Sequence, residues 1–367
     1  MSEARAISLF AGCGGDSLGL ERAGFKVVAF SEFNVAATKT HLANFPESVH
    51  LVEPVSKSSD ITKIPDSVFE PYKGVDVVFA GFPCQGFSAA GKKKANDPRN
   101  QLFRQFVRVV KVTEPTFFIG ENVVGLLNMK SGPKETDPLV LTIIEEAFAE
   151  IGYSMTYKVL EAVDFGVPQK RKRLLIVGWR NASPIAPASF WAAVAAWGAA
   201  QPTVKLSSFL EASLEGAYKL DAKAVPSDFD TVATVIPDSV TVSGVPHPYV
   251  TLKASSFDTE YAGKTHDRLL SCGKRDSPIH SEILNPANPC KTIICTYEHQ
   301  PRLLVGLKNV EGSYVRCLFP DELKRIQGFP ADFGLKGTKK EQIVQVGNAV
   351  PPAMVEALAQ QLAKLLA

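Results

Sequence analysis

No apolar run in the 367-residue chain reaches the roughly 18 residues that a membrane span requires, so no membrane partner is expected. The opening MSEARAISLF lacks the basic-then-apolar layout of a secretion signal and passes directly into strand-like sequence. The expected place of work is therefore inside a cell. Cysteine is sparse: six residues, at 13, 84, 272, 290, 295 and 317, with no Cys-x-x-Cys pair and no Cys/His spacing suited to zinc. This excludes a zinc module, no metal is expected, and in a reducing compartment all of them are expected as thiols. Charge of one sign is lacking too. A net charge of +2 gives no global basic field, so affinity for nucleic acid has to come from local patches.

With 45% hydrophobic and 21% charged residues, the composition is that of a globular protein with a sizeable core, and the length predicts two domains. Through residue 180, β-rich apolar runs alternate with helical patterns, which predicts a parallel sheet with helices on both faces. AISLF (6–10), KVVAF (26–30), VDVVFAG (75–81) and TFFIGENV (116–123) read as strands, and YSMTYKVL with RLLIVGW (173–179) as a late hairpin. SLGLERAG, VAATKTHLANF, QLFRQFVRVVKV (101–112) and LVLTIIEEAFAEIG read as helices. Near residue 181 the chain turns rich in Pro, Ser, Thr and Ala, with short β-like pieces and no βα rhythm, which predicts a second domain. PDELKRIQG (320–328) and the closing PPAMVEALAQQLAKLLA return to helix.

The glycine-rich turn Phe10-Ala-Gly12-Cys13-Gly14-Gly15 lies between the first strand and first helix, where a nucleotide-like cofactor meets a doubly wound sheet. Such turns are common, and the reading gains from two acids at later strand ends. Glu32 is placed to accept from both ribose hydroxyls of an adenosine, and Asp60-Ile61 to meet the adenine. Pro83-Cys84-Gln85 follows a buried strand directly and so reaches the ligand-binding edge of the sheet. An inert thiol is the ordinary fate of a single cysteine. Glu121-Asn122 ends a strand at the same edge, however, and a thiol beside an acid makes a nucleophile and acid pair. Two basic runs stand out. Residues 86–111 hold Lys92, Lys93, Lys94, Arg99, Arg104, Arg108 and Lys111 against Asp97 alone; 168–180 hold Lys170, Arg171, Lys172, Arg173 and Arg180 with no acid. A solvated face is the plain explanation of either run.

Six motifs occur in order: FAGCGG (10–15), PCQGFS (83–88), ENV (121–123), QKRKR (169–173), RCLFPDELKRIQGFP (316–330) and QVGNAVPPAM (345–354). Together they resemble the C5-cytosine DNA methyltransferase family of the stand-alone prokaryotic or viral type. The resemblance implies a Rossmann-like α/β fold with a doubly wound, mostly parallel sheet and a second, smaller target recognition domain. It divides the chain into a discontinuous catalytic domain, 1–183 and 340–367, and a recognition domain with hinge, 184–339. It further implies S-adenosyl-L-methionine as cofactor, held by Phe10, Gly12, Cys13, Gly14, Gly15, Glu32, Phe33, Asp60, Ile61, Gly81, Pro83, Leu102, Asn348, Ala349 and Val350. Catalysis falls to Cys84, Glu121, Asn122, Arg171 and Arg173. Cys84 attacks carbon 6 of a flipped-out cytosine, carbon 5 becomes nucleophilic, and Glu121 stabilises the developing charge.

On the same resemblance double-stranded DNA is the partner, contacted by Gln85, Ser88, Lys92, Lys93, Lys94, Arg99 and Gln169. Lys264, His266, Arg268, Lys274 and Arg275 are candidates for reading bases; Thr292 is expected against the DNA backbone, and Cys290, Cys295 and Cys317 as structural. The compact layout implies a monomer without an N-terminal regulatory region, partnered by a cognate restriction endonuclease. Its place would be the cytoplasm of a bacterium or viral host, or the nucleus in a eukaryote. Two positions depart from the family pattern: Asp16 stands where an apolar residue is usual, and Ala90 where some members carry a polar residue that fills the gap left by the base. A transfer-RNA methyltransferase and a non-catalytic regulator of the same fold are the competing readings. The PCQGFS motif and the long recognition region favour DNA over RNA; intact Cys84, Glu121, Arg171 and Arg173 favour an enzyme over a regulator.

Overall fold

The computed structural model describes residues 3–83, 102–246, 259–261, 264–266, 270–272, 281–299 and 301–366. Strands β1 (Ala4–Leu9), β2 (Phe25–Ser31), β3 (Val49–His50), β4 (Val77–Ala80) and β5 (Phe117–Asn122) are mutually parallel. After them come β6 (Tyr153–Glu161), the short β7 (Gln169–Lys170) and β8 (Lys172–Arg180). The sheet runs β3-β2-β1-β4-β5-β8-β6, with β8 antiparallel to both its neighbours. The late hairpin is thus present, but its second strand lies inside the first.

Strand order reverses between β1 and β4. The chain moves outward from β1 to β3, then returns to lay β4 on the other side of β1. A doubly wound sheet opens a crevice beyond the carboxyl ends of its strands at that switch point. The turn after Leu9 and the segment leading to Cys84 are the two chains that leave there.

Alternation along each strand divides the side chains between two cores. Ala6, Val77, Phe117 and Ile119 face one cluster; Ile7, Val78 and Phe118 face the other. The second face is covered by α3 (Leu102–Thr113) and α4 (Val140–Ala149). The first is covered by α1 (Gly15–Arg22), α5 (Pro187–Ala199) and α8 (Pro352–Leu366), while α2 (Val35–Asn44) stacks His41 on Phe30 of β2. Helix α5 is absent from the sequence reading, which expects only short β-like pieces beyond 181. Its Ala-rich, Pro-led segment buries Phe190, Trp191 and Val194 in the first core, beside α8.

A second sheet joins β9 (Tyr218–Lys219), β10 (Thr234–Val235), β13 (Leu270–Cys272), β14 (Ser281–Ile283), β16 (Leu303–Asn309) and β17 (Gly312–Cys317). Strands β11 (Thr259–Tyr261) and β12 (Lys264–His266) pair apart from it, and β15 (Cys290–Lys291) pairs with β7. Helices α6 (Pro320–Ile326) and α7 (Lys339–Asn348) share this region's core through Leu323, Ile326, Ile343 and Val346. No helix among the described residues is long and apolar enough to cross a membrane.

Candidate active site

The turn after β1 is held in an uncommon backbone shape. Phe10 has a φ of 56° and Gly12 one of 55°. The left-handed region costs a bulky residue such as Phe10 of order 1 kcal/mol or more, and such strain gathers at ligand sites. A Cβ on Gly12 would meet nothing within 4 Å, so the backbone there borders open space. The Gly12 N–H donates to Glu32 Oε2 at 2.8 Å, and the Asn34 N–H to Glu32 Oε1 at 2.7 Å. Burial raises the Glu32 carboxyl above its ordinary range, while the N–H groups of Asn34 and Gly12 act against that rise. Phe33, next in the chain, is 75% exposed.

Gly15 brings the chain's far end to this turn. A Cβ there would sit 2.4 Å from the Val350 carbonyl oxygen, so only glycine allows the approach. Ala349 and Val350 are buried and Asn348 is exposed. Cys13 faces inward. Its side chain is fully buried, Sγ lies 3.8 Å from the Gln345 carbonyl, and burial pushes the thiol up to about 12. Only its backbone is left for a cofactor. Asp60 accepts from the Thr62 N–H and hydroxyl, Ile61 is buried, and Leu102 starts α3, half-buried.

At the next strand ends, Arg173 Nε donates to Glu121 Oε1 at 2.7 Å, both side chains being only 15% and 13% exposed. Register explains the meeting: Glu121 pairs with Leu175, so Arg173 is its diagonal neighbour on the same face. The other oxygen, Oε2, lies toward β4, 3.7 Å from where a Gly81 Cβ would stand. Asn122 is buried, and its amide donates to the Phe82 carbonyl at 3.0 Å while its oxygen accepts from the Val123 N–H. Asn122 therefore clamps the backbone two residues ahead of Cys84. Cys84, Gln85, Ser88, Ala90, Lys92, Lys93, Lys94 and Arg99 lie outside the described residues, as do Arg268, Lys274 and Arg275.

The QKRKR segment divides by side-chain direction. Residues 169, 171 and 173 turn inward, while Lys170 and Lys172 are exposed, so only these two lysines of the segment face solvent. Gln169, expected on DNA, is fully buried: its oxygen accepts from the Ile293 N–H and its amide donates to Gln327 Oε1. Arg171, expected in catalysis, is buried too, donating from Nη1 to the Ile293 carbonyl and from Nη2 to the Gly347 carbonyl. Burial, then the nearby Arg173 charge, lowers its guanidinium to about 9. The Thr292 hydroxyl bonds the Lys170 carbonyl.

Three residues near the site were missed by the sequence reading or given a minor part. Asp16, expected simply to be tolerated at a helix start, is buried against the Ser8 hydroxyl, and burial pushes its carboxyl up to about 7. His41 lies beneath Gly14, bonded to Ser17 and stacked on Phe30. Gln327 links Gln169 to the Ala349 carbonyl. Asp16 had a signal in its departure from the family pattern, and Gln327 in being a lone amide inside the KRIQG motif; His41 had none.

The sequence profile of the C-5 cytosine-specific DNA methylase family matches residues 4–364. The type II methyltransferase M1.HphI of Haemophilus parahaemolyticus is 32% identical over 369 residues, covering 98% of this chain and 86% of that protein. The type II methyltransferase M.FnuDI of Fusobacterium nucleatum is 30% identical over 371 residues, with 99% and 95% covered. A protein of an E. coli prophage, assigned as a DNA modification methyltransferase, shares the fold across 99% of both chains, with a TM-score of 0.67 at 24% identity. Strand-end geometry, a profile match over nearly the whole chain and full-length likeness to type II enzymes agree: this chain belongs to the C5-cytosine-specific DNA methylase family and methylates carbon 5 of cytosine in DNA.

Proposed function

We propose that the enzyme works by covalent catalysis, with Cys84 as nucleophile, S-adenosyl-L-methionine as methyl donor and a flipped-out cytosine as substrate. The carrying observation is the arrangement of Glu121: Arg173 holds Oε1 and leaves Oε2 toward the strand end that leads to Cys84. The residues present suit the donor. Each Glu32 oxygen accepts one backbone N–H and keeps a lone pair for a ribose hydroxyl. Gly12 borders open space, and exposed Phe33 offers an aromatic face beside Glu32. Phe10, the backbone of Cys13, Gly14, Gly15, Asp60, Ile61, Gly81, Pro83, Leu102, Asn348, Ala349 and Val350 complete the proposed set. Bound there, the donor supplies an electrophilic methyl group on a sulfonium.

The Cys84 thiolate adds to carbon 6 of cytosine, and the 5,6 double bond becomes an enamine that is nucleophilic at carbon 5. Glu121 accepts from the exocyclic amine and passes a proton to ring N3, which gives it back as Cys84 leaves, so charge that develops on the ring meets a fixed group. Arg173 orients Glu121 and faces the base carbonyl oxygen; Asn122 fixes the approach to Cys84. After transfer, water takes the carbon 5 proton, the double bond re-forms and Cys84 leaves as thiolate. A target inside a stacked duplex must first be extruded.

Residues 1–183 and 340–367 form the proposed catalytic domain, with α5 packed on its core; 184–339 form the recognition domain and hinge. Exposed Lys170 and Lys172, with Lys92, Lys93, Lys94 and Arg99, would neutralise phosphates, which predicts salt-sensitive affinity. Full-length likeness to type II enzymes supports a cognate restriction endonuclease and a cytoplasmic setting; action as a monomer follows from a single recognition domain that can read a symmetric site one strand at a time.

Expression in a host without cytosine methylation, followed by bisulfite sequencing, tests the reading. Cytosines protected in one short context are expected, and protection should vanish with Cys84→Ala. Protection that survives Cys84→Ala would sink the covalent mechanism.

A further inference from the structure

Alternation along residues 169–173 puts Gln169, Arg171 and Arg173 on one face of a single extended segment. Arg173 reaches the catalytic Glu121. The other two reach chain segments far apart in sequence, through groups that are buried throughout. The Ile293 N–H donates to Gln169 Oε1 at 3.0 Å, Gln169 Nε2 donates to Gln327 Oε1, and Gln327 Nε2 donates to the Ala349 carbonyl. A backbone donor at one end and a backbone acceptor at the other fix the direction of both amides, so the chain of bonds has one sense. Arg171 runs beside it, bonding the carbonyls of Ile293 and Gly347.

Ile293 lies between β14 and β16 of the second sheet and is buried in that region's core. It follows β15, which adds to β7 in parallel, with Cys290 opposite Gln169. Gly347 and Ala349 open the segment that meets Gly15 of the cofactor turn. A Cβ on Gly347 would stand 2.4 Å from the Cys295 N, so the two backbones touch. Apolar side chains would serve if packing were the only need. Buried amides are costly unless every group is satisfied, and satisfied chains of such bonds strengthen one another. They also hold two segments in one register or release both.

We infer that Gln169, Arg171 and Gln327 are positioning residues that couple DNA engagement by the recognition region to the grip of residues 347–350 on the methyl donor. This rests on the reading that 348–350 touch the donor. Coupling between two ligands is reciprocal, so it can be read from either side.

The test uses the full chain, with S-adenosylhomocysteine as a donor that cannot react and a duplex carrying the sequence found by bisulfite mapping. Calorimetry on the wild type should show the duplex tightening S-adenosylhomocysteine at least about fivefold, the lower end of ordinary coupling. Gln327→Met matches the original in length but neither donates nor accepts as an amide does; its coupling should fall to within about twofold of none. Gln169→Met cuts the same chain at the next bond and should behave alike. Full coupling in a folded variant, or none in the wild type, overturns the inference. A wild type that does not bind S-adenosylhomocysteine at all overturns the donor reading and the inference with it. Should both variants unfold, hydrogen exchange on the wild type decides. S-adenosylhomocysteine without DNA should slow exchange across 290–295, and unchanged exchange there overturns the coupling.

Discussion

The first sheet has strands as long as nine residues and buries both faces; the second is built largely from strands of two or three residues around two longer ones. Both have apolar cores, but the second also encloses a charged pair. In the first, Phe, Val, Ile and Leu from alternate positions fill two apolar clusters, and the site's charged groups stand only at strand ends. In the second, a fully buried ion pair sits at the base: Arg316 Nη2 lies 2.7 Å from Glu322 Oε1, and the guanidinium also bonds the carbonyls of Glu211, Ser213 and Cys317. Glu322 in turn accepts the N–H groups of Glu211 and Phe319. A platform made by apolar burial spreads its stability over many residues, so groups at its edge can change for chemistry. A core that encloses a charged pair depends on both partners as well.

The largest expected effect separates chemistry from stability on the platform. Glu121→Gln keeps the shape but loses the charge that Arg173 faces. Single-turnover rates should fall about 10²–10⁴-fold, while the urea midpoint moves little. A rate within tenfold of wild type would remove Glu121 from the chemistry. The opposite pattern is expected at the second core. Arg316→Met strands a buried carboxylate and should cost about 3–5 kcal/mol in urea unfolding. Arg316→Met with Glu322→Leu should recover only part of that loss: no charge is left unpaired, but the backbone groups the pair satisfied are. If the double variant is as unstable as the single one, the pair does more than neutralise itself.

The same contrast explains how far the sequence could be read. Strands β1, β2, β4 and β5 announce themselves as apolar runs because both faces are buried, and the residues of the site sit where those runs end. Helix α5 escaped because Ala, Trp and Pro carry no clear period at its edges. Most of the second sheet's strands are too short to show alternation, β16 is buried on both faces and so does not alternate, and Arg316 with Glu322 reads in sequence as two ordinary surface charges. Inside the site, the bonds of Gln169 and Arg171 to residues more than 120 positions away depend on tertiary contact alone. A basic run gives no sign of which members turn inward.

Beneath the glycine turn the platform does hold buried titratable groups, and pH can sharpen the comparison there. Burial pushes the Asp16 carboxyl from 3.8 up to about 7, so the native state keeps a proton that the unfolded chain releases. That contribution is full below pH 3.8 and is lost as pH rises toward 7. His41 moves the other way: burial, then the charge of His50, takes it from 6.5 down to about 3, so its contribution is present above 6.5 and lost as pH falls. The two trends oppose each other in mildly acid solution. Asp16→Asn removes only the first, so the variant should gain on wild type by about 3 kcal/mol between pH 4 and pH 6.5. Urea titrations at both pH values measure the difference, and a constant difference would mean that Asp16 does not titrate in this range.

The smallest expected effect falls on Phe33, at the rim of the platform. Its ring is 75% exposed, and it follows Glu32, whose carboxylate is fixed by two backbone N–H groups. An exposed aromatic contributes almost nothing to folding, so Phe33→Ala should leave the urea midpoint within error. As one face of a donor site, the ring contributes by stacking, at about 1 kcal/mol. S-adenosylhomocysteine should then bind about five- to tenfold more weakly to the variant in calorimetry. Unchanged affinity would place the adenosine elsewhere along the crevice, and a shifted urea midpoint would mean that Phe33 belongs to the fold and not to the site.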